Sequence, residues 1–301
     1  GGARSRQADA ARFHHRHPGL ITSHWRIRVF RAKLAARARV LTAGVRGDLS
    51  MFNRRLVVAA TLALLIGAPV AWAQVKPPVP PISDAVAKAV ASSTRPEKDK
   101  ARDGGRKPAE VFAISGMKPG DKVIEIAAFG QYDTNIIVNI VGPTGHVYMY
   151  DLPYQQARQE APTKAFTDAH PTTEHAFGKF DEMTFPSGVD MVTIDMYYHD
   201  LSINNVDLAT FNKKMFNALK PGGRLLIVDH NAEAGSGRRD TNTLHRIDRT
   251  LILSEVQAAG FKLLVDSNLF ANPMDNYKIR VFDPTERGGT DRSVFVFERP
   301  R

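Results

Sequence analysis

The chain contains no cysteine. Disulfides, Cys-ligated zinc and thiolate catalysis are therefore excluded. Tryptophan is nearly absent, and both copies, Trp25 and Trp72, precede Ala73. No apolar run reaches the roughly 20 residues that a spanning helix needs. A basic surplus is also missing from most of the sequence. The net charge of +10 sits at one end: residues 1–50 hold 11 Lys and Arg against two Asp, and residues 74–301 hold 28 basic against 29 acidic residues. That balance gives no basic face for nucleic acid. At 301 residues, 43% hydrophobic and 24% charged, the composition is that of a globular protein of one or two domains.

The basic end has its own pattern. Met51, Arg54 and Arg55 precede a 13-residue apolar stretch, 56–68, and Ala71-Trp72-Ala73 follows as a small-x-small site before Gln74. This is the arrangement of a secretory signal peptide over 51–73. Residues 1–50 then read as a non-native or disordered basic leader. The mature protein is expected to be periplasmic or secreted, with no membrane association after cleavage.

Beyond it, residues 74–95 read as a Pro-rich linker followed by a short helix over 84–92, with Asp84 as N-cap. A second short helix is expected over 97–102, broken at Gly104-Gly105. Another starts at Pro108, a favourable first helical residue. From there strand and helix alternate. Strands are expected over 122–127, 146–151, 174–177, 190–196, 224–229, 262–266 and 293–298. Helices are expected over 134–141, 155–169, 205–219 and 254–259. The 190–196 strand (DMVTIDM) is apolar between its two acids apart from Thr193, and so is expected to be central and covered on both faces. The alternation predicts an α/β fold with a mostly parallel sheet and helices on both faces. In such a sheet ligands bind beyond the carboxyl ends of the strands, near the switch in strand order.

The residues just after each strand are thus the ones to weigh. The first strand runs into Ala127-Ala128-Phe129-Gly130-Gln131-Tyr132, and the second ends at Asp151, 21 residues past Gly130. A glycine turn with an acid about 20 residues on is the spacing that holds a ribose hydroxyl. With one glycine the signal is weak, and an ordinary strand-to-helix turn explains it equally well.

Five stretches together carry a resemblance: 99–110 (DKARDGGRKPAE), 122–134, 219–229 (LKPGGRLLIVD), 235–261 and 272–288 (NPMDNYKIRVFDPTERG). They resemble the class I S-adenosylmethionine-dependent methyltransferases, and more narrowly an exported bacterial branch of predicted methyltransferases. The resemblance covers about 95–301. It implies a Rossmann-like seven-stranded sheet with the last strand antiparallel, a methyltransferase-like domain over 96–301, and S-adenosylmethionine as cofactor. It implies that Glu125 and the turn of Ala127, Phe129, Gly130, Gln131 and Tyr132 face the methionine part. Asp151 would take the ribose hydroxyls, Lys179 and Phe180 would border the adenine, and Asp195 to His199 would face the transferring methyl. The sequence departs from the family in that turn. The family's glycine positions read Ala127, Phe129 and Gln131, where glycine normally allows positive φ and close approach to the ligand.

Methyl transfer asks for alignment and sometimes proton removal. His199 is the first general-base candidate, since imidazole titrates near neutrality. Tyr197 or Tyr198 is a candidate to line the methyl, and His230, at the end of the fifth strand, is a further candidate. No metal is expected, because Asp195 and His199 have no third carboxylate at clear spacing. Arg238, Arg239, His245, Arg246 and Asp248 form a polar cluster that reads as a solvated face or as a clamp for an acidic substrate. The expected partner is a small-molecule substrate. The alternative function is an inactive, exported small-molecule binding protein on the same scaffold, to which the lost glycines point. A nicotinamide-dependent reductase shares the strand–turn–acid pattern, but the LKPGG segment fits it less well.

Overall fold

The computed structural model describes residues 78–301. The basic leader, the signal peptide and the first residues of the linker lie outside the described residues. Among the described residues no helix is long and apolar enough to cross a membrane.

The chain enters through three short helices, α1 (Asp84–Val90), α2 (Glu97–Lys100) and α3 (Asp103–Arg106), and then α4 (Pro108–Ser115). Strand β1 (Lys122–Ile126) leads into α5 (Tyr132–Val141), β2 (His146–Asp151), α6 (Gln156–Ala169) and β3 (Thr173–Phe177). Next come β4 (Val189–Asp195), α7 (Tyr198–Ile203), α8 (Leu208–Ala218) and β5 (Leu219–His230). The chain finishes with α9 (Thr241–Leu244), α10 (Arg249–Ala258), β6 (Lys262–Phe270) and β7 (Arg292–Glu298). The seven strands lie in the order β3-β2-β1-β4-β5-β7-β6. The first five pair in parallel, and β7 runs antiparallel between β5 and β6. This is the Rossmann-like sheet expected from the sequence.

Alternation along the strands divides the core between the two faces. Ile124, Val192, Ile194, Leu225 and Ile227 point to one face and pack under α7, α8 and α10. Val123, Val147, Met149 and Met191 point to the other, under α1 and α5. Leu226, Val228, Val294 and Val296 continue that second face under α4. Four consecutive residues of β4, Met191 to Ile194, are buried, as its apolar sequence required. The chain leaves β1 toward β2 on one side and reaches β4 on the other. The switch in strand order therefore falls between β1 and β4, and their carboxyl ends frame the ligand crevice.

Several boundaries differ from expectation for local reasons. The N-cap of α1 is Ser83, whose hydroxyl accepts the Val86 N–H at 3.3 Å, and Asp84 sits inside the first turn. Gly104-Gly105 lies within α3 instead of breaking a helix. Helix α8 begins at Leu208 because Asp207 caps the Ala209 and Thr210 amides. The segment after β4, for which no element was expected, forms α7.

Candidate active site

The turn after β1 keeps a glycine-type backbone with few glycines. Ala127 (φ 63), Gly130 (φ 80) and Gln131 (φ 52) all sit in the left-handed region. Holding alanine and glutamine there costs on the order of 1 kcal/mol each, a strain that persists where the surroundings fix it. The surroundings do so here. Ala127 N–H donates to the Tyr150 carbonyl at 2.8 Å. Asn135 Nδ2 donates to the Gln131 carbonyl at 2.6 Å, and Gln131 Nε2 donates to Thr163 Oγ1 at 2.9 Å.

Beneath this turn lies a group of carboxylates. Glu125 is buried and its Oε2 has no hydrogen-bond partner. Burial, with Asp151 and Asp195 nearby, pushes Glu125 up to about 8. Asp133, from the first turn of α5, is likewise raised, by burial and then by Asp195. Arg106 is the counter-charge. Its Nη1 donates to Asp195 Oδ2 at 2.6 Å and lies 3.9 Å from Asp133 Oδ2. Tyr132 holds the arginines in place. Its ring has Arg102 and Arg106 guanidinium carbons at 4.7 and 4.6 Å, and its hydroxyl donates to Asp103 at 2.6 Å.

Glu125, Ala127, Phe129, Tyr132, Asp133, Asp195, Tyr197, His199 and His230 line a cavity of about 250 Å³. It adjoins a second of about 400 Å³, with which it shares Arg102, Arg106, Met196, His230, Val281 and Phe282. Together they are of the size that holds a small ligand.

Two histidines in this wall behave oppositely. His199 donates from Nδ1 to Asp229 Oδ1 at 2.7 Å, and Asp229 Oδ2 accepts the His199 backbone N–H at 2.7 Å. Burial disfavours its charge, but Asp229 and Asp200 outweigh that and push His199 up to about 10. With Nδ1 committed to Asp229, Nε2 is the ring nitrogen left to face the cavity wall. His230 is pulled well below its ordinary value, chiefly by burial and then by His199 and Arg292. It is therefore neutral, and its Nδ1 is engaged with the Thr290 hydroxyl at 2.8 Å.

Other expected residues lie elsewhere. Tyr198 is fully buried; its hydroxyl accepts from Asn212 Nδ2 at 2.7 Å and donates to Glu255 at 3.1 Å. It faces α8 and α10, and Tyr197 is the tyrosine on the cavity. Asp151 has no exposed surface: Oδ1 accepts the Phe129 N–H at 3.0 Å and Oδ2 pairs with His175 Nε2 at 2.9 Å. Above it the Phe129 ring packs edge-on against Tyr197 at 5.7 Å, and the Tyr197 hydroxyl pairs with Tyr154 at 2.9 Å. Lys179 is an exposed partner of Glu182 and Phe180 is wholly buried; neither lines either cavity. The arginine cluster is not a clamp. Arg246 is buried against Asp275 at 2.8 Å, Arg239 pairs with Asp240 and Glu233, Arg238 pairs with Glu255, and Asp248 caps α10.

Sequence reasoning passed over Asp133 and Asp229 as site members. Each lies within one or two residues of a position already singled out, which is the signal that was present. His199 Nε2, Asp200 Oδ1 and His245 Nδ1 stand 3.3 Å apart on every edge.

Residues 106–236 match the ubiE/COQ5 methyltransferase family. The chain is 27% identical over 120 residues to the ubiquinone/menaquinone biosynthesis C-methyltransferase UbiE of Ectopseudomonas mendocina (strain ymp), covering 40% of this chain and 45% of that one. It is 28% identical over 123 residues to UbiE of Teredinibacter turnerae, covering 40% and 47%. The matched region thus spans about half the length of these relatives. Among solved structures it superposes on the [4+2]-cyclase SpnF with a TM-score of 0.51 at 12% identity, covering 65% of this chain and 81% of that one. That likeness is one of fold.

Proposed function

The chain resembles the class I S-adenosylmethionine-dependent methyltransferases, and from that premise we propose that it transfers a methyl group from S-adenosylmethionine to a small molecule. The observation that carries the reading is the family match over 106–236 falling on the same turn and strand ends that line the cavity. The donor set is consistent with such a cofactor at one end. Glu125, with an unpartnered buried oxygen, and Asp133 and Asp195 beside it offer carboxyl groups that can ionise against an ammonium and a sulfonium. At the ribose end the set does not yet fit, because Asp151 has no exposed surface and does not line the cavity. Each of its oxygens keeps a free acceptor site, so occupancy there requires the cover over Asp151 to move.

When bound, the cofactor supplies a methyl on a positively charged sulfur. The chain's own part is alignment and proton handling. Arg106 holds Asp195 in place, and the Ala127–Gln131 turn sets the wall. His230 is the base: neutral, with Nδ1 fixed by Thr290, it has Nε2 for the acceptor's proton. The mature chain, released from the signal peptide of 51–73, acts outside the cytoplasm in this proposal. N-terminal sequencing of the exported protein tests that part, with a start at Gln74 expected.

Calorimetric titration of the chain with S-adenosylmethionine and S-adenosylhomocysteine tests the central claim. Saturable binding of both is expected. Absence of heat at millimolar ligand, with the thermal midpoint unmoved, sinks it and leaves a binding protein on a borrowed scaffold.

A further inference from the structure

Three ligand-type atoms meet at the wall of the cavity. The His199 Nε2–Asp200 Oδ1, His199 Nε2–His245 Nδ1 and His245 Nδ1–Asp200 Oδ1 separations are all 3.3 Å. This triangle is too wide for charge-assisted hydrogen bonds, which run about 2.7–2.9 Å. The same histidine reaches Asp229 at 2.7 Å, so close pairing is available to it. A set of ordinary hydrogen bonds would shorten one edge and open the others. Equal edges of this length match something else. Ligands bound tetrahedrally at about 2.0–2.1 Å from zinc stand about 3.3–3.4 Å apart.

We propose that His199, Asp200 and His245 form a divalent-metal site of the zinc type, with its fourth position open to the cavity that His199 and Asp200 line. Two nitrogens and one carboxylate are a donor set that suits zinc and leaves room for a water or substrate oxygen. The outer contacts are also in place. Asp229 accepts the His199 Nδ1–H, which fixes the ring and leaves Nε2 as the donor atom, as bound histidines generally require. Asp229 is itself immobile, since it also accepts the His199 and His230 backbone amides at 2.7 Å. With both histidines neutral, Asp200 and Asp229 bring two negative charges to balance a divalent ion. One group must adjust. Arg280 Nη2 stands 3.2 Å from His245 Nε2. Once Nδ1 binds metal, Nε2 carries the proton, and the exposed Arg280 side chain turns away to solvent.

A bound metal with an open position would polarise an acceptor hydroxyl beside His230. The inference does not depend on the methyl-transfer reading: the site stands or falls by metal binding alone.

The test uses the whole chain, stripped with a chelator and dialysed, then offered Zn(II) or Co(II). Elemental analysis should find one zinc per chain, and cobalt should give the intense visible bands of four-coordination. Asp200→Asn, which keeps the side chain's shape, and His245→Ala should each weaken retention at least tenfold with the metal-free thermal midpoint little changed. Asp229→Asn should weaken it 10–100-fold. His170→Ala, remote at the end of α6, should leave it unchanged. No zinc held at micromolar free metal overturns the proposal. So does binding that survives Asp200→Asn combined with His245→Ala, or cobalt spectra of six-coordinate form.

Discussion

Glu125 couples ligand affinity to pH in a way that can be worked out beforehand. Burial holds its pKa at about 8, against an ordinary value of 4.5. A cofactor whose ammonium pairs with this carboxylate must bind the ionised form. At pH 6, two units below that pKa, about one chain in a hundred is ionised. The dissociation constant for S-adenosylhomocysteine should therefore fall about tenfold per unit between pH 6 and 8, and level off above it. Each unit is worth about 1.4 kcal/mol. Calorimetry in two buffers of different ionisation heat should show close to one proton released per ligand at pH 6 and little at pH 9. The same residue makes an opposite statement about folding. Because the folded state holds its proton more tightly than the unfolded one, stability is greatest below pH 4.5 on this account and declines as pH rises toward 8. The full difference is on the order of 5 kcal/mol. Glu125→Gln should thus melt higher than the parent at pH 8–9 and bind more weakly, with a flat pH profile. An affinity that does not change from pH 6 to 8 in the parent, with no proton released, would refute the assignment.

Other expectations follow from the same structure. Phe129→Ala removes an edge-on aromatic contact worth about 0.5–1.5 kcal/mol, so the melting point should drop by a few degrees. If the ring is what covers Asp151, S-adenosylhomocysteine should bind more tightly in the same variant. Arg246→Met leaves Asp275 as an unpaired buried charge, and denaturant unfolding should show a loss of about 3–5 kcal/mol. His230→Gln, once an acceptor is in hand, should lower kcat by about 10²–10⁴-fold while cofactor affinity stays within a few-fold.

The sheet was legible because its strands are written in two clear styles. Met191-Val192-Thr193-Ile194 carries no charge and became a central strand, and the acids and histidines at strand ends fell where the topology places a crevice. The aim of individual side chains was less legible. After β4 the backbone turns through a left-handed Met196 (φ 51) into α7. Strand alternation no longer applies there, and nothing local says that Tyr197 faces the cavity and Tyr198 the helices. Asp151 ends β2, but its partner His175 comes from the neighbouring strand through a pairing register that spacing cannot supply. Arg246 reads as solvated in a charged segment, and it is buried only because Asp275, 29 residues on, folds back over it.

The place of β7 bears on how the molecule assembles. Strand β6 pairs with β7 alone, and β7 comes later in the chain. While synthesis proceeds, β5 shows an open edge and β6 has nothing to join. The sheet closes only when Arg292–Glu298 threads between them. Truncation ahead of residue 292 would therefore strand two sticky borders at once, and aggregation, not a trimmed but soluble domain, is the outcome to expect.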